Sequence, residues 1–115
     1  MCGLAGLVSQ YKLDHRARES FEFLSRKFLT SRGPDEQNIA SGGTYSLFHS
    51  RLIVQGQLGG TQPTTLSDGR LMAFSGELYN SEEVGKRLSN YGMIARDRLS
   101  DTELLRYIFD AGLHH

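Results

Sequence analysis

One cysteine in 115 residues, Cys2, rules out an internal disulfide, so its thiol is either buried and inert, free and reactive, or incidental. Neither sign of charge is in excess. Thirteen Lys and Arg offset thirteen Asp and Glu, which removes the electrostatic footprint of a nucleic-acid binder. No apolar run approaches the roughly 20 residues that cross a bilayer, and no basic stretch leads into a hydrophobic segment at the start. Neither membrane association nor secretion is therefore expected, and the composition suits a cytoplasmic protein. The histidines, at 15, 49, 114 and 115, are too scattered to suggest a metal set, and no glycine-rich phosphate loop with its lysine is present. At this length the chain is one domain or a piece of one.

The local pattern alternates short apolar runs with amphipathic segments. GLAGLVS at 3–9 suits a buried strand that begins just after the cysteine. Over 14–31 the spacing of Ala17, Phe21, Leu24 and Phe28 predicts a helix with those four residues on one face and Arg16, Arg18, Glu19, Glu22, Arg26 and Lys27 on its wetter sides. SRGPD at 31–35 ends it, because proline disfavours helical geometry in the preceding residue. Two strands are expected at Gln37–Ala40 and Thr44–His49, joined by a tight turn at SGG. Residues 55–69 read as a long loop, and RLMAFSG at 70–76 as a strand. SEEVGKRLSNYG predicts a helix capped by Asn80 or Ser81 with Gly92 past its end, and a weak strand follows at Met93–Arg96. SDTELLRYIFDAG carries a capping box, Ser100 to Glu103, before Leu104, Leu105, Ile108 and Phe109. No internal repeat or linker interrupts this order.

The position of Cys2 has a chemical consequence. If Met1 is removed, Cys2 carries a thiol and a free α-amine on one residue. An α-amine ordinarily titrates at about 7.7 to 8.0, so near neutral pH part of it can take the proton of a thiol whose usual value is about 8.5. This is a nucleophile with its own base. The alternative is a cysteine buried as a small hydrophobe at the start of a strand.

Six segments, in order along nearly the whole chain, bear on that choice: MCGLAGLV at 1–8, RGPD at 32–35, HSRLIVQG at 49–56, QP at 62–63, FSGELYN at 74–80 and SDTELL at 100–105. Together they resemble the glutaminase domain of class II (N-terminal nucleophile) glutamine amidotransferases, in the asparagine synthetase-like branch. The resemblance implies an α+β fold of the N-terminal nucleophile hydrolase type. That fold is a four-layer αββα sandwich of antiparallel sheets between helices, of which the chain supplies a part over residues 1–112. Residues 113–115 are expected to be a tail or the remnant of a tag.

The activity implied is release of ammonia from glutamine through a glutamyl thioester, with Cys2 as nucleophile and its α-amine as general base. Arg51 matches the arginine that grips the substrate α-carboxylate, a task suited to a planar guanidinium. Glu77 and Asp101 match the carboxylates that receive the α-ammonium, and the backbone of Val54 and Gln55 matches the edge lining the substrate. Each has a plainer reading: a salt bridge for Arg51, a solvated charge for Glu77, and favourable acid at a helix N-terminus for Asp101.

Two features depart from the family pattern. The oxyanion hole is implied to combine the Gly76 N–H with an asparagine side chain, and here Ser75 stands in the asparagine's place. Loss of such a donor costs about 2.7 to 4 kcal/mol, so slow hydrolysis is expected. The chain also lacks the further strands of the glutaminase domain and the ATP-using synthetase domain that follows it. No cofactor is expected within this chain, since ATP and magnesium would belong to the synthetase domain. Its expected partners are glutamine, the remainder of the glutaminase domain with its synthetase domain or a partner chain, and a second copy in a homodimer formed through open sheet edges. Three readings stand: a glutaminase, competent or slow; a non-catalytic glutamine-binding remnant; and an assembly piece that completes another chain's sheet.

Overall fold

The computed structural model describes residues 2–53, 60–94 and 99–113. Its central feature is a three-stranded antiparallel sheet of β1 (Gly3–Val8), β2 (Glu36–Ser41) and β3 (Tyr45–Arg51), in the order β1-β3-β2. The hairpin joining β2 to β3 closes with the Gly42 N–H donating to the Tyr45 carbonyl. Register sets the two faces. Gly3 pairs with Ser50 and Leu4 with His49 on one side of β3, while Gln37 and Asn38 pair with the same two residues on the other.

Because successive strand residues point to opposite faces, Ser46, Phe48 and Ser50 share one face and Leu47, His49 and Arg51 the other. Helix α1 (His15–Leu29) covers the first face. Ser50 Oγ donates to the Leu29 carbonyl at 2.7 Å, and the Arg26 guanidinium lies 5.7 Å from the centre of the buried Phe48 ring. Burying Phe48 contributes about 1.5 to 3 kcal/mol.

Asp14 caps α1 by accepting from the Ala17 N–H at 2.7 Å, and a single 3₁₀ turn, Thr30–Arg32, continues it into RGPD. The helix forms where the spacing places it, but its buried face is different. Ser25 is buried and Phe21, Glu22 and Leu29 are half-buried, whereas Leu24 is 49% and Phe28 64% exposed.

Backbone anchors set this rotation. Arg18 donates to the Leu13, Gly42 and Gly43 carbonyls, and Leu29 is held by Ser50. A Cβ on Gly3 would stand 2.5 Å from Ser50 Oγ and 2.9 Å from Leu29 Cβ, so only glycine lets the helix end approach so closely. Residues 18, 22, 25 and 29 therefore face the sheet, and Arg18 and Glu22 leave the wetter sides assigned to them.

The remaining elements form a second cluster. β4 (Thr64–Thr65) and β5 (Leu71–Met72) make a two-stranded antiparallel ribbon. It is tied to α3 (Asp101–Asp110) by Ser67, whose N–H and hydroxyl both donate to Asp110 Oδ1. α2 (Ser81–Asn90) packs on α3, with Gly85 beside Leu104, and Leu88 and Leu104 are both buried. α3 begins with the expected capping box: Ser100 Oγ accepts from the Glu103 N–H, and the Glu103 carboxylate accepts from the Ser100 N–H. Gly92 ends α2 at φ +69°, a left-handed conformation that favours glycine.

Several boundaries differ from expectation. RLMAFSG pairs only at Leu71–Met72, because the Phe74 main chain is held by side chains and so makes no ladder bonds. β4 falls in the segment read as a loop, of which residues 55–59 lie outside the described residues. Asn80 occupies the N-cap of α2 without a side-chain cap bond. Met93 and Ile94 form no strand, and the other two residues of that expected strand lie outside the description.

The fold is thus a mixed α/β arrangement of antiparallel strands and helices. Its sheet is covered by α1 on one face and only partly covered on the other, where Leu4 is 40% and Val8 82% exposed. The radius of gyration, 15.5 Å, exceeds the roughly 13 Å of a compact chain this long. Among the described residues, no helix is long and apolar enough to cross a membrane.

Candidate active site

Cys2 directly precedes β1, so the Gly3–Ser50 pair fixes its place at one end of the sheet. Arg51 follows Ser50 on β3 and lies at that same end. The Cys2 side chain is half-buried, and its carbonyl oxygen accepts a hydrogen bond from Ser75 Oγ at 3.1 Å. The Ser75–Gly76 segment is thereby joined to the main chain of the only thiol. Ser75, Gly76 and Glu77 are exposed and open to an incoming ligand.

Asp101, at the first position of α3, accepts from the Leu78 N–H at 2.8 Å. One of its oxygens is used to hold the segment that carries Glu77. The helix-end reading and the substrate-binding reading of Asp101 are compatible, since a carboxylate has lone pairs for both.

Arg51 is 8% exposed, and its Nη1 lies 3.4 Å from Glu36 Oε2 across the β2–β3 pair. Burial pushes the Glu36 carboxyl up. Hydrogen bonds from Asn38, Arg51 and Thr61, with the Arg51 charge, outweigh it and hold Glu36 below the usual carboxylate range. Arg51 is thus oriented by a salt bridge from within the sheet.

RGPD, read as punctuation, has a supporting role here. A Cβ on Gly33 would sit 2.4 Å from the Ser50 carbonyl and 2.5 Å from the Arg51 nitrogen, so glycine lets this turn lie directly on the end of β3. Asp35 then accepts from the Ile53 N–H at 2.7 Å and donates its own N–H to the Arg51 carbonyl. Val54 and Gln55, next along, lie outside the described residues.

Two residues without an assigned role also reach the site. Buried His49 places Nε2 3.1 Å from the Phe74 carbonyl, and buried Gln62 accepts from the Phe74 N–H. Burial lowers the His49 pKa below 6.5. The Phe74 hydrogen bond opposes this, and the nearby Arg51 charge adds to it. His49 is consequently neutral at pH 7. The structure therefore gathers Cys2, Ser75, Gly76, Glu77 and Asp101 around one loop, with Arg51 at the adjacent sheet end.

A shallow depression of about 260 Å³ lies nearby, lined by Gly60, Thr61, Thr64, Thr102, Glu103 and Arg106. None of the candidate site residues lines it, so it is not the site described above.

Comparison with known proteins decides the family. The profile described as "Glutamine amidotransferase domain" matches residues 1–114. The chain belongs to the glutamine amidotransferase domain family. Within it the similarity is to asparagine synthetases. The chain is 35% identical over 113 residues to asparagine synthetase [glutamine-hydrolyzing] 3 of Bacillus subtilis, a match covering 95% of this chain and 18% of that protein. It is 32% identical over 111 residues to asparagine synthetase [glutamine-hydrolyzing] 1 of Arabidopsis thaliana, covering 96% and 18%. A third relative, asparagine synthetase [glutamine-hydrolyzing] 1 of Saccharomyces cerevisiae, is 32% identical over 92 residues, covering 79% and 16%. The chain thus spans less than a fifth of the length of these relatives. No solved structure matches it.

Proposed function

We propose that this amidotransferase domain releases ammonia from glutamine, as the glutaminase part of an asparagine synthetase-like enzyme. The observation that supports this is the Ser75–Cys2 hydrogen bond, which joins the thiol-bearing residue to the loop whose Gly76 N–H is the proposed oxyanion donor.

With Met1 removed, the Cys2 α-amine takes the thiol proton and the sulfur attacks the side-chain amide carbon of glutamine. The Gly76 N–H stabilises the oxyanion, with Ser75 beside it. The C–N bond breaks as the α-ammonium returns the proton to the leaving nitrogen, giving ammonia and a glutamyl thioester. Water then adds to the thioester carbon as the again-neutral α-amine takes one of its protons, and the C–S bond breaks with return of that proton to the Cys2 sulfur, freeing glutamate. Arg51 binds the substrate α-carboxylate, Glu77 and Asp101 the α-ammonium, and the Val54–Gln55 backbone lines the ligand.

In this reading the three-stranded sheet is part of an αββα sandwich of the N-terminal nucleophile hydrolase type, occupying residues 1–112. The face bearing Leu4 and Val8 receives the remaining sheet, and ammonia passes to an acceptor bound by a synthetase domain that uses ATP and magnesium. A second reading, a non-catalytic glutamine-binding or assembly fragment, is favoured by one observation: the single Ser75 hydroxyl proton is directed at Cys2 rather than at a substrate oxygen.

Ammonia release from glutamine separates the two readings, measured on chain with a free N-terminal Cys2 and on chain retaining Met1. The glutaminase reading predicts release only from the first. Release from neither supports the non-catalytic reading, and equal release from both contradicts the α-amine base.

A further inference from the structure

Both main-chain polar groups of Phe74 are held by side chains distant in sequence. His49 Nε2 lies 3.1 Å from the Phe74 carbonyl oxygen. A carbonyl only accepts, so the Nε2 nitrogen carries the proton. The Phe74 N–H donates to Gln62 Oε1, and Gln62 Nε2 donates to Thr102 Oγ1 at 2.9 Å. His49 and Gln62 are 1% and 4% exposed, so water competes little for these bonds.

The posts also belong to elements that carry candidate substrate-binding residues. His49 is two residues before Arg51 on β3 and shares its face, and Thr102 adjoins Asp101 on α3. The Phe74 carbonyl and the Ser75 N–H lie in one peptide plane, so fixing the first fixes the second. Asp101 holds the far end of the segment at the Leu78 N–H. The Gly76 N–H lies between these fixed points.

We propose that His49 and Gln62 are positioning residues, which hold Phe74 from both sides and thereby aim the Ser75–Gly76 segment at Cys2. This rests on the glutaminase reading for its effect on rate. It is independent of that reading for its effect on structure. Neither residue touches substrate. Each acts through the Phe74 peptide groups, so its loss falls on kcat more than on KM, since misplacement of about 1 Å costs on the order of 10²-fold.

The test uses the full chain with Met1 removed, so that Cys2 is free, together with His49→Leu, the donor-retaining His49→Gln, and Gln62→Met, which keeps volume but loses the amide. Nitrogen-15 NMR reports the His49 tautomer and the Phe74, Ser75 and Gly76 amides. Glutamine hydrolysis reports kcat and KM. The wild-type chain is expected to show His49 protonated at Nε2 and a Phe74 amide protected from exchange. His49→Leu and Gln62→Met shift the Ser75 and Gly76 amides and lower kcat by about 10²-fold, with KM changed less than about threefold. His49→Gln recovers most of the loss. An Nδ1-protonated His49, an unprotected Phe74 amide, or His49→Leu with unmoved amides overturns the proposal. If the wild-type chain hydrolyses no glutamine, the glutaminase reading falls, and the tautomer and amide measurements alone decide this one.

Discussion

The Ser75 hydroxyl donates to the Cys2 carbonyl at 3.1 Å, closing a bridge between positions 73 residues apart. A serine has one proton to give, and here it is spent on the main chain of the candidate nucleophile. An asparagine amide at this position has two N–H donors on one plane. One can keep the bridge while the other points at a substrate oxygen.

Ser75→Asn is therefore expected to raise glutamine hydrolysis by one to two orders of magnitude, recovering part of the roughly 2.7 to 4 kcal/mol that an oxyanion donor supplies. The gain belongs in kcat, because the restored donor acts on charge that develops in the transition state. Arg51→Ala is the contrast, expected to raise KM because it removes the proposed α-carboxylate partner. It also leaves Glu36 without its guanidinium. Steady-state kinetics on the two variants checks both. An unchanged rate in Ser75→Asn places the limiting step elsewhere.

Stability should respond to pH through His49. Its native pKa lies below 6.5 because burial disfavours the imidazolium, so the unfolded chain takes the proton first as pH falls. The contribution of the neutral ring is complete above about 6.5 and is lost as pH drops from there through the lower native value. Glu36, whose pKa is also lowered, acts in a separate window, losing its contribution only as pH falls below 4.5. Urea midpoints at about pH 7.5 and about pH 5.5 should therefore differ in the wild-type chain and differ less in His49→Gln. Equal differences in the two proteins would remove His49 from the account.

The sheet face bearing Leu4 and Val8 is incompletely covered, and β1 and β2 are both edge strands of the three-stranded sheet. Such surfaces favour association, and a homodimer is expected at micromolar concentration. Val8→Lys should shift sedimentation towards monomer. A wild-type chain that sediments as a folded monomer contradicts this expectation.

Local signals were the legible part of this molecule. The Ser100–Glu103 capping box, the α1 span and the glycine beyond α2 each depend on residues within a turn of one another, and all form where their spacing places them. The face of α1 was misjudged because apolar spacing ignores the anchors. Arg18, Ser50 and Gly3 rotate the helix by about one residue, which leaves Leu24 and Phe28 outside.

The candidate site was legible only by resemblance, and only for residues to which the resemblance assigns a chemical role. His49 and Gln62 stand in quoted segments, yet their partners lie 25, 12 and 40 positions away, where no periodicity points. A histidine on the same strand face as Arg51 was the one available hint. Glu36 escaped for the same reason, since its pairing with Arg51 follows from sheet register alone.

The central claim is that Cys2 is a glutamine-directed nucleophile. It is tested most directly by mass spectrometry of the chain with free Cys2 after exposure to 6-diazo-5-oxo-norleucine, a glutamine analogue that alkylates an attacking thiolate with loss of nitrogen. The account predicts a single adduct, located on Cys2, that forms more slowly when glutamine is present and does not form on Cys2→Ala. An adduct that persists in Cys2→Ala, or whose rate ignores glutamine, would contradict it.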